Sequence, residues 1–207
     1  VRIFLVIDMR ILVGCEYSGV VRDAFRDAGH TAFSCDLIET ESRPHVHYQM
    51  DVFEAIDKMD KLGGWDLIIL HPECTKICVS GNRWYGKGMP RHSERLKAVA
   101  WTEALWEYAI ERCARVCMEN PVGVLKLPFT QFIQPYEYGH PETKKTGLRL
   151  HGLPKLTPTN NVKEEMDKLP DRLKHRIHHM SPGKDRGKER ARFFTGWAEA
   201  MAEQWGT

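Results

Sequence analysis

The stretch Asp66-Leu67-Ile68-Ile69-Leu70-His71-Pro72-Glu73-Cys74 constrains this chain more than any other. Four consecutive aliphatic residues lack the 3.6-residue period of a surface helix and read as a strand buried on both faces, which Pro72 closes. In open α/β sheets the loops beyond the carboxyl ends of the strands carry the chemistry, so Cys74 is expected at such a strand tip. The competing reading of Cys74 is a half-buried structural thiol, since free cysteine packs as a small hydrophobe.

The same grammar recurs along the chain. Arg10–Gly14 reads as a strand, followed by Cys15-Glu16-Tyr17-Ser18-Gly19 and a helix from Val20 to Ala28, where Val21, Ala24, Phe25 and Ala28 share a face. Ser18 is the expected N-cap and Gly29 the expected stop. Strand, glycine turn and helix N-terminus together accommodate a nucleotide-like ligand. A further strand, Thr31 to Cys35, ends at Asp36, about 20 residues beyond the turn, the spacing at which a carboxylate reaches ribose hydroxyls. Asp51 is a second carboxylate; its competing role is to cap a helix from Val52 to Met59. Gly81 to Ser93, rich in Gly, Arg, Lys and Trp, reads as a mobile cationic loop. A helix is expected from Ser93 to Arg112, with Leu96, Val99, Ala100, Leu105, Ala109 and Ile110 on its apolar face. The next strand, Ala114 to Met118, ends on Glu119-Asn120-Pro121, and parallel pairing would bring that tip beside the Cys74 tip. Gly147 to His151 reads as a strand, Leu153 to Thr159 is too Pro-rich for a core element, and Thr195 to Trp205 reads as a helix.

At 207 residues the chain suits one α/β domain. Its six cysteines contain no Cys-x-x-Cys pair and follow no secretory leader, which argues against zinc clusters and disulfide frameworks and fits a reducing cytoplasm. Residues 1 to 8 precede Met9, a candidate natural start. No apolar run approaches the roughly 20 residues that span a bilayer, so no membrane partner is expected. The net charge of +2 is unevenly spread: His140 to Arg192 carries about seven more Lys and Arg than Asp and Glu. A polyanion partner fits that segment, and so does a solvated charged face.

With these blocks in this order, the chain resembles the C5-specific DNA cytosine methyltransferases, in a short form like those of phage genomes. Cys15-Glu16-Tyr17-Ser18-Gly19-Val20 is similar to the family's first cofactor-binding motif, with its glycines thinned. Asp36 and Asp51 match the acidic positions that contact the ribose and adenine of S-adenosylmethionine. Cys74, Ser80 and Gly81 match a catalytic loop that runs Pro-Cys, five residues, Ser-Gly, and Glu119-Asn120 matches the catalytic Glu-Asn pair. Tyr138-Gly139-His140-Pro141 matches the lead into a Gln-x-Arg-x-Arg motif, and Gly196 to Ala202 resembles the closing helix. Glu73 stands where the family has proline beside its cysteine, and of the Gln-x-Arg-x-Arg cations only Lys144 has a counterpart. About 40 residues separate His151 from the closing segment, too few for a full target-recognition domain.

The resemblance implies an α/β, Rossmann-like methyltransferase fold with a mostly parallel sheet. It implies a single domain over 1–207, with a reduced basic subdomain around 152–190. S-adenosylmethionine would meet Cys15, Glu16, Tyr17, Ser18, Gly19, Asp36, Asp51 and Pro72. Cys74, Glu119, Asn120 and Lys144 would be catalytic, and Ser80, Gly81, Arg83, Lys184, Arg186 and Lys188 would meet a DNA or nucleotide substrate. No metal is implied, and the place of action would be the cytoplasm, a host's if the chain is phage-encoded.

The chemistry follows from the base. A pyrimidine C5 is a poor nucleophile until a thiolate adds to C6, and a carboxylic acid near N3 stabilises the charge that develops. Lys76, Arg83 and Lys144 are expected to lower the Cys74 pKa. Three rivals stay open. One is methylation of an exocyclic amine, since His71-Pro72-Glu73-Cys74 loosely resembles an Asp-Pro-Pro-Tyr motif. Another keeps the C5 chemistry on a free nucleotide or a single strand. The third is a methyltransferase-like nucleic-acid-binding module silenced by Glu73.

Overall fold

The computed structural model describes residues 8–58, 63–181, 183 and 186–207, without the side chains of His178 and Lys188. Residues 1–7, and with them most of the segment before Met9, lie outside the described residues, as does Lys184.

Seven strands form one sheet: β1 (Arg10–Gly14), β2 (Thr31–Asp36), β3 (His47–Gln49), β4 (Leu67–Leu70), β5 (Val116–Pro121), β6 (Gln131–Ile133) and β7 (Thr146–His151). Their order is β3-β2-β1-β4-β5-β7-β6. The pairs from β3 to β5 are parallel, while β7 runs antiparallel to both β5 and β6. The helices are α1 (Val20–Asp27), α2 (Val52–Asp57), α3 (Asn82–Tyr85), α4 (His92–Arg112), α5 (Lys163–Asp167), α6 (Asp171–Lys174), α7 (Arg176–His179), α8 (Arg186–Ala191) and α9 (Thr195–Trp205).

Strand side chains alternate between faces, so one strand feeds two cores. Ile11, Val13, Leu67, Ile69 and Cys117 point to one side, where Val21 and Phe25 of α1 and Trp197, Met201 and Trp205 of α9 cover them. Leu12, Ile68, Leu70, Val116 and Met118 point to the other, against Val52 and Ile56 of α2 and Leu105 and Ala109 of α4. Full burial of a side chain such as Phe25 or Ile69 contributes about 1.5–3 kcal/mol, which is why the aliphatic runs become central strands.

Several local expectations are corrected. The N-cap of α1 is Gly19, in the left-handed region at φ 75°, and Ser18 gives the helix only a long acceptance from the Val20 N–H, at 3.5 Å. The cap is supplied from further back, by Glu16. Leu96 is 57% exposed and Ala100 is exposed; the buried line of α4 is Arg95, Thr102, Leu105 and Ala109. The first turns of α4 run past a loop full of carbonyls, so a guanidinium is buried there where an aliphatic group was expected. The stretch from Gly81 is ordered through a 3-10 turn at Val79–Gly81 and then α3. β5 extends beyond Met118 to Pro121, which puts Glu119 and Asn120 inside the strand, opposite Leu148 and Gly147. Leu153 to Thr159 forms no strand, yet Leu156 is buried, and the Gln131 side-chain amide holds both its N–H and its carbonyl.

Candidate functional site

Strand order reverses between β1 and β4, and the two tips are tied there: the His71 N–H donates to the Gly14 carbonyl at 3.0 Å. Such a switch point is where open α/β sheets bind ligands. The turn from Gly14 to Gly19 lies against it, with Cys15 at φ 60°, an uncommon conformation for a residue with a side chain. Glu16 is buried beneath this turn. Its carboxylate accepts from the backbone N–H of Val21 at 2.7 Å and of Arg22 at 3.3 Å, satisfying donors that a helix start leaves open. Burial raises its pKa, and these donors oppose the rise. Both Glu16 oxygens therefore serve the helix.

Asp36 lies one residue beyond the Gly14–Cys35 register pair at the tip of β2, partly exposed. Asp51 caps α2 through a 2.8 Å bond from the Phe53 N–H, so its structural reading holds whatever else it does. Burial first, then Cys35, Asp36 and Asp51, push the Cys15 thiol well above its ordinary pKa. Turn and carboxylates thus converge on one crevice. Tyr17 is half-buried beside it, its carbonyl accepting from the Glu41 N–H and the Thr40 hydroxyl.

Beyond β4 the chain passes buried Pro72 and exposed Glu73 and turns at Cys74, whose carbonyl accepts from the N–H of Ile77 and Cys78. Arg95 grips this loop from α4. Its guanidinium donates to the Lys76 carbonyl at 2.6 Å, the Cys78 carbonyl at 3.1 Å and Asn82 Oδ1 at 2.6 Å. The Val79 N–H donates to Val122, and the Val124 N–H to Ile77, knitting the loop to the chain after β5. Gly81 leaves no room for a Cβ against the Thr75 carbonyl.

Two thiols share this loop. A hydrogen bond between them pulls their acidities apart: Cys78 is lowered to about 5 by the bond from Cys74, with further donors in the Ser80 hydroxyl and the Gly81 N–H. Cys74 is raised, by that bond first, then by burial and by the Glu119 carboxylate. The expected cationic setting is not what decides Cys74. Lys76 sits 3.9 Å from Glu73 and Arg83 lies over the exposed Trp84 ring, leaving Lys144 as the cation that acts on the thiol, and the weakest of the influences on it. Ser80 is exposed, with its hydroxyl 3.0 Å from Cys78 Sγ.

Across from Cys74, Glu119 is held in β5 with its side chain 14% exposed and Oε2 3.5 Å from His71 Nδ1. Burial alone would raise its pKa; His71, Lys144 and the Thr146 hydroxyl outweigh that and hold it below the usual carboxylate range. Asn120 is buried, its Oδ1 accepting from Arg149 at 3.2 Å. Arg149 is itself buried, donates to the Leu127 carbonyl, stacks 4.0 Å from the Phe129 ring centre, and has its pKa brought down to about 10 by desolvation. Lys144 donates to the Arg190 carbonyl at 3.1 Å.

The structure thus gathers Cys74, Glu119, Asn120 and Lys144 at the β4 and β5 tips, next to the Gly14–Gly19 crevice. Arg186 is set apart, donating to the Met180 carbonyl, and the side chains of Lys184 and Lys188 lie outside the described residues. Sequence reasoning missed His71, Cys78, Arg95 and Arg149. Arg95 alone carried a signal, since it falls in helical register with Leu105 and Ala109.

No family model matches the chain, and no curated protein matches it. Solved structures do overlap with it. A putative DNA modification methyltransferase from an Escherichia coli prophage is 14% identical, over 79% of this chain and 56% of that one, with a TM-score of 0.44. The Dnmt2 methyltransferase of S. pombe is 11% identical, over 86% and 61%, at 0.47. The methyltransferase EhMeth of Entamoeba histolytica is 11% identical, over 75% and 58%, at 0.46. This chain spans 56 to 61% of the length of these three proteins. The assignment of fold rests on its own sheet: five parallel strands in the order 3-2-1-4-5, then an antiparallel β7 between β5 and β6. The fold is the Rossmann-like methyltransferase fold. Among the described residues no group of three or more His, Cys, Asp or Glu is placed to hold a metal ion, and no helix is long and apolar enough to cross a membrane.

Proposed function

We propose that this chain methylates C5 of cytosine in DNA, with S-adenosylmethionine as donor and Cys74 as covalent nucleophile. The observation that carries the reading is the convergence of a thiol, a carboxyl and an ammonium group, Cys74, Glu119 and Lys144, at two adjacent strand tips beside a glycine-turn crevice. That crevice fits an adenosyl ligand: two carboxylates, Asp36 and Asp51, stand within electrostatic reach of Cys15 in the turn and can accept from ribose hydroxyls and the adenine amine. When bound, S-adenosylmethionine supplies the methyl group.

The chain's own groups do the rest. As the Cys74 sulfur adds to C6, its proton passes along the existing hydrogen bond to Cys78, which the Ser80 hydroxyl and Gly81 N–H stabilise as thiolate. Glu119 delivers a proton to N3, so that electron density at C5 is not spent as charge on the ring. Asn120, fixed by Arg149, keeps its amide N–H₂ for the base or the loop. Ser80 and Arg83, both exposed, and Gly81 between them in the chain are assigned to the substrate entry, and the basic segment from 140 to 192 is assigned to phosphates.

Tritiated methyl transfer from S-adenosylmethionine to duplex DNA, single-stranded DNA, RNA and dCMP, offered separately, tests the activity and its substrate. A 5-fluorocytosine substrate tests the covalent step, because fluorine at C5 cannot leave as a proton does. A denaturation-stable, cofactor-dependent adduct is expected at Cys74. Cys74→Ala should abolish it, and Glu119→Gln should slow it by about two to four orders of magnitude. Methyl transfer with no adduct would sink the covalent reading, and label on an exocyclic nitrogen would sink the C5 reading.

A further inference from the structure

His71 occupies a position that the mechanism above does not use, between its two halves. Its backbone is bonded to the Gly14 carbonyl at the switch point, and its ring is only 11% exposed, closed off by Phe193 with ring centres 4.7 Å apart. Nδ1 stands 3.5 Å from Glu119 Oε2, and among the described residues neither ring nitrogen has a well-formed hydrogen bond. The ionisable groups that act on it are Glu119 from β5 and Glu16 from the turn after β1; Lys144, Thr146 and Arg22 act in turn on those carboxylates. Burying an imidazole between two carboxylates without a proper hydrogen bond costs free energy that a merely structural role would not repay.

We propose that His71 is the proton relay for Glu119: Nδ1 passes a proton to the carboxylate, which hands it on to the N3 of the bound base, and His71 takes it back when the base is released. This rests on the reading of Glu119 as the N3 acid. The balance is simple. Cys74 S–H gives its proton to Cys78 as the S–C6 bond forms, the C5–C6 π pair moves towards N3, and N3 gains the proton that leaves Glu119. That proton is one Glu119 has just taken from His71, so the carboxyl ends as the carboxylate it was at the start. After methyl transfer the C5 proton leaves to solvent water as the C6–S bond breaks, Cys78 returns its proton to Cys74, and the N3–Glu119–His71 transfers run in reverse, so His71 is unchanged over the cycle. The need for a relay comes from Glu119 itself, which its surroundings hold as a carboxylate in the resting site although the reaction asks it for a proton. His71 acts through Glu119 and never touches the base.

The test compares wild type with His71→Gln and His71→Asn in the full chain, by the single-turnover rate of adduct formation on 5-fluorocytosine DNA between about pH 5.5 and 9. Glutamine keeps a donor beside Glu119 but cannot titrate, and asparagine covers the case in which glutamine does not fold. Unchanged S-adenosylmethionine affinity verifies the crevice in each variant. Wild type should lose rate as pH rises and the imidazole gives up its proton. The variants should be slower by about 10- to 100-fold near neutrality and lack that limb of the profile. A wild type that forms no adduct overturns the proposed function and this relay with it. An active wild type whose His71→Gln variant keeps both rate and profile overturns the relay alone.

Discussion

Cys74 and Cys78 show how little a residue's type fixes its chemistry. Both are cysteines in one short loop, four positions apart, yet hydrogen bonds to Cys78 favour its thiolate while Glu119 and burial keep the proton on Cys74. An unperturbed thiol, near 8.5, loses reactivity tenfold for each pH unit below that value. Cys78 has a lowered pKa, so its thiolate persists through neutrality and is lost only as pH falls through about 5. Iodoacetamide should therefore modify Cys78 at a rate that stays nearly flat from pH 8 to about 6, as read by mass spectrometry of the 74–83 peptide. Cys74→Ala removes the strongest of those donors, so it should move the midpoint of that profile upwards. A profile indistinguishable between wild type and Cys74→Ala would mean that the two sulfurs do not share a proton, and that Cys74 needs another acceptor. None of this was legible in the sequence, because a Cys-x-x-x-Cys spacing says nothing about which donors meet which sulfur.

The elements that matter most to the site are the loop from 74 to 82 and the helix that holds it. The central strands were legible because Ile11 to Val13, Leu67 to Leu70 and Val116 to Met118 have no polar face to offer solvent, and so can only be interior. The neighbouring stretch from Gly81 to Ser93 was misread as mobile because its Gly, Lys and Arg content is that of a flexible segment, and nothing local marked 74–82 as held by one distant side chain. Arg95 is 4% exposed and spends its donors on two loop carbonyls and Asn82. Removing it leaves those carbonyls buried and unpaired, so Arg95→Ala should cost about 2–3 kcal/mol, a fall in Tm of roughly 5–10 °C for a chain of this size. Hydrogen exchange should quicken in 74–82 before it does in β1 or β4. If exchange in the loop is unaffected, the knitting to Val122 and Val124 suffices and Arg95 is not its clamp.

At the scale of the whole molecule, strand–turn–helix repeats pointed to β4 and β5 as parallel neighbours, but β3 and the placement of β6 and β7 were not legible. Gln131–Ile133 is too short to show a period, and an antiparallel return depends on turns that local sequence does not specify. Segment 152–190 was the least legible, because α5 to α7 are helices of five residues or fewer whose positions are set by contacts rather than by propensity. What the sequence does give there is charge. Cations that sit on phosphates release condensed counterions, so the logarithm of the binding constant falls with the logarithm of salt concentration in proportion to their number. Neutralising Lys184, Arg186 and Lys188 to glutamine together should weaken binding to duplex DNA and make that slope shallower by about two to three, if all three meet phosphates. Arg186 also donates to the Met180 carbonyl, so Arg186→Gln alone should be compared for thermal stability to separate a folding effect from a binding one. A triple variant that folds normally and keeps the wild-type slope would take the basic segment away from the nucleic acid. The cationic entry around Arg83 would then be left as the surface that meets it.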